Sequence, residues 1–261
     1  MEVFRYERVV MKIVLAFDSF KGCITAQEAC HTAASTIHEI LPSAKLVECP
    51  LSDGGEGLVE CVEKRLNVKH IHLKAHDPLM NIIDASYVIS YDGKTAYMEM
   101  AATSGLTLVP EDKRNPMLTT TYGVGDMIID AAKRGCKEIV MGIGGSATCD
   151  GGRGMTQRLR DNGYSLPFSN HPSPNTQHLN FQLPHITVAS DVTNPLYGEL
   201  GASYVFAPQK GATPEQVKTL DERLREFAKQ TEALGHAHTI SCPSSRCRSS
   251  RRTWLWAYDI P

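Results

Sequence analysis

An α/β fold built on parallel strands is what the sequence predicts, and three observations carry the prediction. Short apolar runs rich in β-branched and aromatic residues each lead into a polar loop of Gly, Ser, Thr and Asp, then into an amphipathic stretch. This strand–loop–helix succession occurs twice before residue 66 and returns after residue 123. Helix-boundary signals stand at the joins: Thr25 and Glu28 have capping-box spacing, and Gly135 follows a helical pattern as its cap.

The elements follow in order. Residues 12–17 (KIVLAF) form a short buried strand opened by Met11, so residues 1–10 read as an upstream extension. Glu2, Arg5, Glu7, Arg8 and Lys12 break up any signal-peptide pattern there. Asp18-Ser19-Phe20-Lys21-Gly22 ends the strand, and a helix runs from the Thr25 cap to Leu41, where Pro42 stops it. Residues 45–50 form a second strand, followed by Ser52-Asp53-Gly54-Gly55-Glu56-Gly57 and a helix through Arg65. Residues 84–91 and 94–100 alternate about Asp92-Gly93, which predicts a hairpin and a domain boundary between about 74 and 84. A helix over 124–134 and a strand over 137–143 restore the first rhythm, and strands are expected at 186–189 and 202–206. A last helix begins at Thr213, with Pro214 in its first position and Gln216 completing the cap. Residues 165–184, rich in Pro, Asn and His, predict a surface loop.

Composition excludes several classes. The 261 residues are 42% hydrophobic, enough for one large domain or two modest ones. A net charge of −2 gives no pull toward nucleic acid or membrane, and no apolar run is long enough to span a bilayer. The 8 cysteines are scattered and read as reduced thiols. From about Gly235 the character changes. Arg246, Arg248, Arg251 and Arg252 stand against one acid, Asp259, and both tryptophans fall here without any helix or strand period. Residues 236–261 therefore read as an aberrant, disordered tail of the kind an out-of-frame coding segment produces. His236, His238, Cys242 and Cys247 match no standard zinc spacing.

Three loops share one design: Asp18 to Gly22, Ser52 to Gly57, and Gly142-Ile143-Gly144-Gly145-Ser146-Ala147-Thr148-Cys149-Asp150-Gly151-Gly152. Glycine lets a backbone approach a phosphate and aim successive N–H groups at it, and a following helix N-terminus adds positive potential. Loops at the carboxyl ends of parallel strands gather on one sheet edge, where α/β proteins keep their sites. Asp18, Asp53, Glu56, Asp150 and Asp191 could hold Mg²⁺ or take a hydroxyl proton, and Lys21 and Lys210 could neutralise phosphate or carboxylate charge. Gly142-x-Gly144-x-x-Ala147 also fits a dinucleotide fingerprint, which needs an acid at the end of a second strand; Asp161 is near in number but stands in a turn-like Arg160-Asp161-Asn162-Gly163. No Walker-A or protein-kinase signature is present.

The loops, together with Glu99-Met100-Ala101, Ser104-Gly105-Leu106, Arg114-Asn115-Pro116, Thr119-Thr120-Thr121-Tyr122-Gly123, Asp191-Val192-Thr193-Asn194-Pro195-Leu196 and Pro208-Gln209-Lys210-Gly211, resemble the type-1 glycerate kinase family, in the family's order, over roughly residues 11–235. The resemblance implies ATP- and Mg²⁺-dependent phosphorylation of D-glycerate to 2-phosphoglycerate, with 3-phosphoglycerate as the other regiochemistry. It implies a two-domain fold: a Rossmann- or flavodoxin-like parallel-sheet domain with a second α/β domain inserted. Residues 11–74 would belong to the first domain and 75–235 to the second. On matched positions, Gly54, Gly55, Gly144, Gly145, Ser146 and Thr148 would bind the nucleotide. Lys21, Asp18 and Asp191 would be catalytic, and Ser19, Lys21, Arg114, Asn194 and Lys210 would bind substrate. Asp53 and Asp150 would touch the metal. A cytoplasmic protein follows, partnered by D-glycerate and ATP and by neither nucleic acid nor membrane; its oligomeric state stays open, a homodimer included. Phe17 departs from the family's usual proline, the stretch after Gly163 is shorter, and the family's further strands beyond residue 235 are absent. The first domain is therefore expected to be incomplete, with low stability and weak activity. A non-catalytic nucleotide- or glycerate-binding fragment and an NAD-dependent oxidoreductase are the alternatives.

Overall fold

The structure, a computed structural model, describes residues 11–20, 23–164, 183–190 and 192–233. The upstream extension, nearly all of the 165–184 loop and the tail with its His and Cys residues lie outside the described residues. The chain divides into two compact units, Met1–Asp53 and Gly54–Pro261.

In the first unit, β1 (Lys12–Leu15) and β2 (Lys45–Glu48) pair in parallel, with α1 (Ala26–Ile40) as the crossover between them. The expected capping box is present: Glu28 N donates to Thr25 Oγ1 at 3.2 Å, and Thr25 N donates to the Glu28 carboxylate at 2.8 Å. Leu15, Cys30 and Ala34 form the core, with Ile13, Ile37 and Leu46 packed around it. The Cys30 thiol donates to the Leu15 carbonyl at 3.3 Å.

The second unit opens with α2 (Leu58–Arg65). A five-stranded sheet follows, ordered β3 (Val68–His76), β4 (Ile82–Ser90), β5 (Thr95–Glu99), β6 (Glu138–Gly142) and β7 (His185–Ala189). The β3–β4 and β4–β5 pairs are antiparallel; β5–β6 and β6–β7 are parallel. Asp92-Gly93 makes the hairpin turn as expected. Gly93 has φ 74°, and Asp92 Oδ1 accepts Ser90 Oγ at 2.6 Å and Lys94 N at 3.1 Å. Sequence patterning assigned nothing to β3, although its inward Ile71 and Ala75 alternate with outward His70, His72 and Lys74. Its nine-residue pairing with β4, from Val68 opposite Ser90 to His76 opposite Ile82, spans the region where a domain boundary was expected.

α3 (Ala101–Ser104) leads from β5 toward α4 (Tyr122–Lys133), and α5 (Arg153–Asp161) follows β6. Val124, Met127, Ile128 and Ala131 of α4 and Met155 and Leu159 of α5 bury the sheet face formed by Tyr87, Ile89, Ala96, Met98, Ile139, Met141 and Ile186. Full burial of each such side chain is worth about 1.5–3 kcal/mol, so this face dominates the unit's stability. Gly135, φ 88°, closes α4 by donating to the Ala132 carbonyl.

One element is corrected. Residues 202–206 form a helix, α6 (Ala202–Phe206), not a strand. The β-branched and aromatic composition suggested a strand, but Ala202 and Phe206 stand at i, i+4 and pack on Leu224 and Ala228 of α7 (Pro214–Ala233), themselves at i, i+4. α7 begins as expected: Thr213 N donates to Gln216 Oε1 at 2.9 Å and Gln216 N to Thr213 Oγ1 at 3.3 Å. No helix among the described residues is long and apolar enough to cross a membrane.

Candidate functional site

The parallel strands of the second unit end level with one another: Glu99 of β5 lies opposite Gly142 of β6, which lies opposite Ala189 of β7. The Gly54-Gly55 loop is seated on these ends. Gly144 N donates to the Gly54 carbonyl at 3.0 Å. A Cβ on Gly54 (φ 89°) would strike the Ala189 carbonyl, and one on Gly144 would strike Gly55 Cα. Glycine is required because two backbones touch here.

Glu99, quoted above only as part of a motif, fastens this loop. Its Oε1 accepts Gly57 N at 3.1 Å and Val59 N at 2.9 Å. Burial raises its pKa against the lowering by these N–H groups, with Glu56 adding a smaller rise. The α2 N-terminus therefore spends its positive potential on Glu99, not on a ligand.

The loop after β6 is clamped from three sides. Leu106 N donates to the Gly145 carbonyl and Ala147 N to the Ser104 carbonyl, both at 2.8 Å. Thr119 Oγ1 donates to the Ala147 carbonyl at 2.8 Å. Asp150 closes the far end: its Oδ2 accepts Thr121 N at 2.9 Å, Thr121 Oγ1 at 2.8 Å and Gly154 N at 3.1 Å, while Oδ1 accepts Gly152 N at 3.0 Å. The runs around Ser104, Thr119 and Gly142 thus interlock in space. Sequence reasoning missed the roles of Thr119 and Thr121; the signal was three successive threonines, of which Thr119 and Thr121 are buried.

Lys210, expected at the substrate, is 7% exposed. Its ammonium donates to Ser146 Oγ at 2.8 Å and to the Thr148 carbonyl at 2.5 Å. Burial lowers its pKa; Cys149 and Asp150 oppose that. Thr148 is itself buried. Gly211 (φ 90°) packs on the Arg114 carbonyl so closely that a Cβ would strike it, and Arg114 Nε is buried with no partner among the described residues. Asn194 Nδ2 donates to the Leu200 carbonyl at 3.0 Å and so braces its own loop.

In the first unit, Asp18 joins two of the predicted loops. Its Oδ1 accepts Ser19 N at 2.6 Å and its Oδ2 accepts Asp53 N at 3.1 Å. Lys21 and Asp191 lie outside the described residues.

Two donors point to what the second unit's site can do. The neighbouring Gly144 and Ala147 amides are engaged, yet Gly145 N–H and Ser146 N–H have no acceptor among the described residues. Gly145 is exposed with φ 72°, the alternation that lines up successive N–H groups for an anion. Asp150, by contrast, is filled by four donors and does not fit the metal role expected of it. Among the described residues no three His, Cys, Asp or Glu side chains cluster as a metal site. Asp161 ends α5, not a strand, and accepts Tyr122 OH at 2.8 Å, so the dinucleotide fingerprint lacks its ribose-binding acid.

The fold and site define an α/β protein with a glycine-rich loop at the carboxyl edge of parallel strands, whose Gly145 and Ser146 N–H groups meet no acceptor among the described residues. A family model described as the glycerate kinase family matches residues 13–245. A glycerate kinase of Haemophilus influenzae is 44% identical over 234 residues, covering 85% of this chain and 62% of that protein. The glycerate 2-kinase of Escherichia coli K12 is 40% identical over 261 residues, 95% of this chain and 68% of that one. The crystal structure of a candidate glycerate kinase 2 from Salmonella typhimurium LT2 superposes with a TM-score of 0.66 at 40% identity, over 86% of this chain and 63% of that one. The chain belongs to the glycerate kinase family and spans roughly two thirds of the length of these relatives.

Proposed function

We propose that this protein is a glycerate kinase: it transfers the γ-phosphoryl group of ATP to the 2-hydroxyl of D-glycerate, giving 2-phosphoglycerate and ADP. The observation that carries the reading is the pair of unengaged N–H groups at Gly145 and Ser146, held in a loop whose every other support is internal. Phosphoryl transfer needs positioning and charge neutralisation more than covalent help, and such a cradle supplies both. The E. coli relative's name supports the 2-hydroxyl.

In this reading the Gly144-Gly145-Ser146 segment receives phosphate oxygens, with Gly54 and Gly55 setting its position and Thr148 anchoring it from below. Lys21 pairs with the glycerate carboxylate or the transferred phosphoryl, Asp18 or Asp191 orients the hydroxyl, and Ser19, Arg114 and Asn194 border the substrate. Mg²⁺ bound to nucleotide phosphates neutralises their charge. Asp53 touches that cation in this reading, while Asp150, whose oxygens accept four donors, braces the loop. The protein is cytoplasmic in this account and acts on small molecules alone.

A glycerate-dependent ADP-release assay tests the reading. The product is identified by whether enolase consumes it directly, as it does 2-phosphoglycerate, or only after a mutase. ADP release above the glycerate-free rate, with direct consumption, is expected. Nucleotide binding without turnover would reduce the protein to a binding module, and binding of NAD in place of ATP would replace the proposal.

A further inference from the structure

We propose that Lys210 is a positioning residue that acts through Ser146: its buried ammonium takes the Ser146 oxygen as acceptor and turns the Ser146 hydroxyl proton outward, completing a three-donor anion set with Gly145 N–H and Ser146 N–H. The inference rests on the phosphate-cradle reading above and names what sets the cradle's charge.

The argument is one of donors and acceptors. An ammonium group has three N–H donors and no acceptor. Ser146 Oγ, 2.8 Å from Lys210 Nζ, must therefore accept. Its own proton cannot point back along that line, and no acceptor for it exists among the described residues. A second ammonium proton goes to the Thr148 carbonyl at 2.5 Å, which fixes the loop two residues on. Cys149 lies beside the ammonium and Lys210 is only 7% exposed, so the ammonium is enclosed behind the loop and not presented to a ligand directly. Its influence on a ligand passes through Ser146.

Burial makes the arrangement costly unless something answers the charge. A buried ammonium bonded only to neutral oxygens is poorly compensated. The carboxylate acting on it is Asp150, behind the loop and filled by four donors. An anionic oxygen on the Gly145–Ser146 amides would be bonded to a hydroxyl that the ammonium polarises, a charge-assisted arrangement stronger than a neutral one. Desolvation already pulls the Lys210 pKa down, and a bound phosphate would pull it back up.

The test is a double-mutant cycle on nucleotide affinity in the whole chain. ADP and ATP dissociation constants are measured by calorimetry for wild type, Ser146→Ala, Lys210→Met and the double variant, with melting temperature followed in parallel. Each single variant should weaken nucleotide binding roughly ten- to a hundredfold, and the double variant should be no weaker than the worse single. The KM for D-glycerate should stay unchanged. Additive losses would show that Lys210 acts independently of Ser146 and overturn the proposal. So would unchanged nucleotide affinity in Ser146→Ala, a result readable even if Lys210→Met does not fold. A wild-type chain that binds no nucleotide overturns it as well. Nucleotide binding with the expected coupling but no turnover of D-glycerate would remove the proposed reaction and leave the Lys210–Ser146 device standing.

Discussion

Replacing Asp150 separates two accounts of the loop after β6. As a metal ligand, Asp150 would be a loosely held carboxylate whose removal leaves the fold intact. Its geometry describes a brace, with four donors from Thr121, Gly152 and Gly154 converging on it. In Asp150→Ala, Thr121 Oγ1 can rotate toward another acceptor, but the backbone N–H groups of Thr121 and Gly154 cannot. Stranding a buried donor costs about 1–3 kcal/mol, so these two alone give about 2–4 kcal/mol after partial rehydration. For a unit of this size each kcal/mol lowers the melting temperature by about 2–4 °C, which puts the expected drop at about 5–15 °C. Asp150→Asn keeps one carbonyl oxygen but turns an NH₂ toward donors, so it should fall between wild type and alanine. The assay is thermal denaturation followed by circular dichroism in EDTA, where a metal contributes nothing. A melting temperature for Asp150→Ala within about 2 °C of wild type would refute the brace.

Three further outcomes follow from the same geometry. Gly54→Ala forces a Cβ at φ 89° into the Ala189 carbonyl and should cost at least about 1–2 kcal/mol in strain, with a measurable loss of nucleotide affinity by calorimetry. Glu99 has a folded-state pKa above its ordinary value of 4.5, so its contribution to stability falls as pH rises through and above that value; the melting temperature of wild type relative to Glu99→Gln should decline from pH 4.5 upward, and a constant difference would contradict the burial argument. Asp126 accepts Arg158 Nε at 2.5 Å and His76 Nδ1 at 2.7 Å and makes no hydrogen bond to the loop after β6 among the described residues, so Asp126→Ala should destabilise by about 2–4 kcal/mol in chemical denaturation while leaving nucleotide binding unchanged.

How much was legible depended on whether the signal was local. The capping box at Thr25 and Glu28, the Asp92-Gly93 turn, the Gly135 cap and the Thr213–Gln216 start of α7 are short-range chemistry and were readable directly. The 202–206 segment misled because five residues of mixed apolar character fit either period; packing on Leu224 and Ala228 chose the helix. β3 escaped notice because polar His and Lys on its outer face dilute its apolar content. The positive-potential argument for helix N-termini was reasonable locally but failed at α2 and α5, because Glu99 and Asp150 reach those N–H groups first.

By itself the sequence determined the alternating α/β plan, the glycine loops and the family, since each rests on residue types within a few positions of one another or on ordered runs along the chain. Only the tertiary structure decided what each polar side chain does. Glu99 lies about forty residues from the amides it holds, Asp150 bonds Thr121 across 29 positions, and Lys210 reaches Ser146 across 64. Hydrogen bonds at such separations are chosen by the level ends of β5, β6 and β7, which bring distant loops to one edge. That shared edge turns Asp150 and Lys210, both candidate ligand residues, into supports, and leaves the Gly145 and Ser146 N–H groups without an acceptor among the described residues.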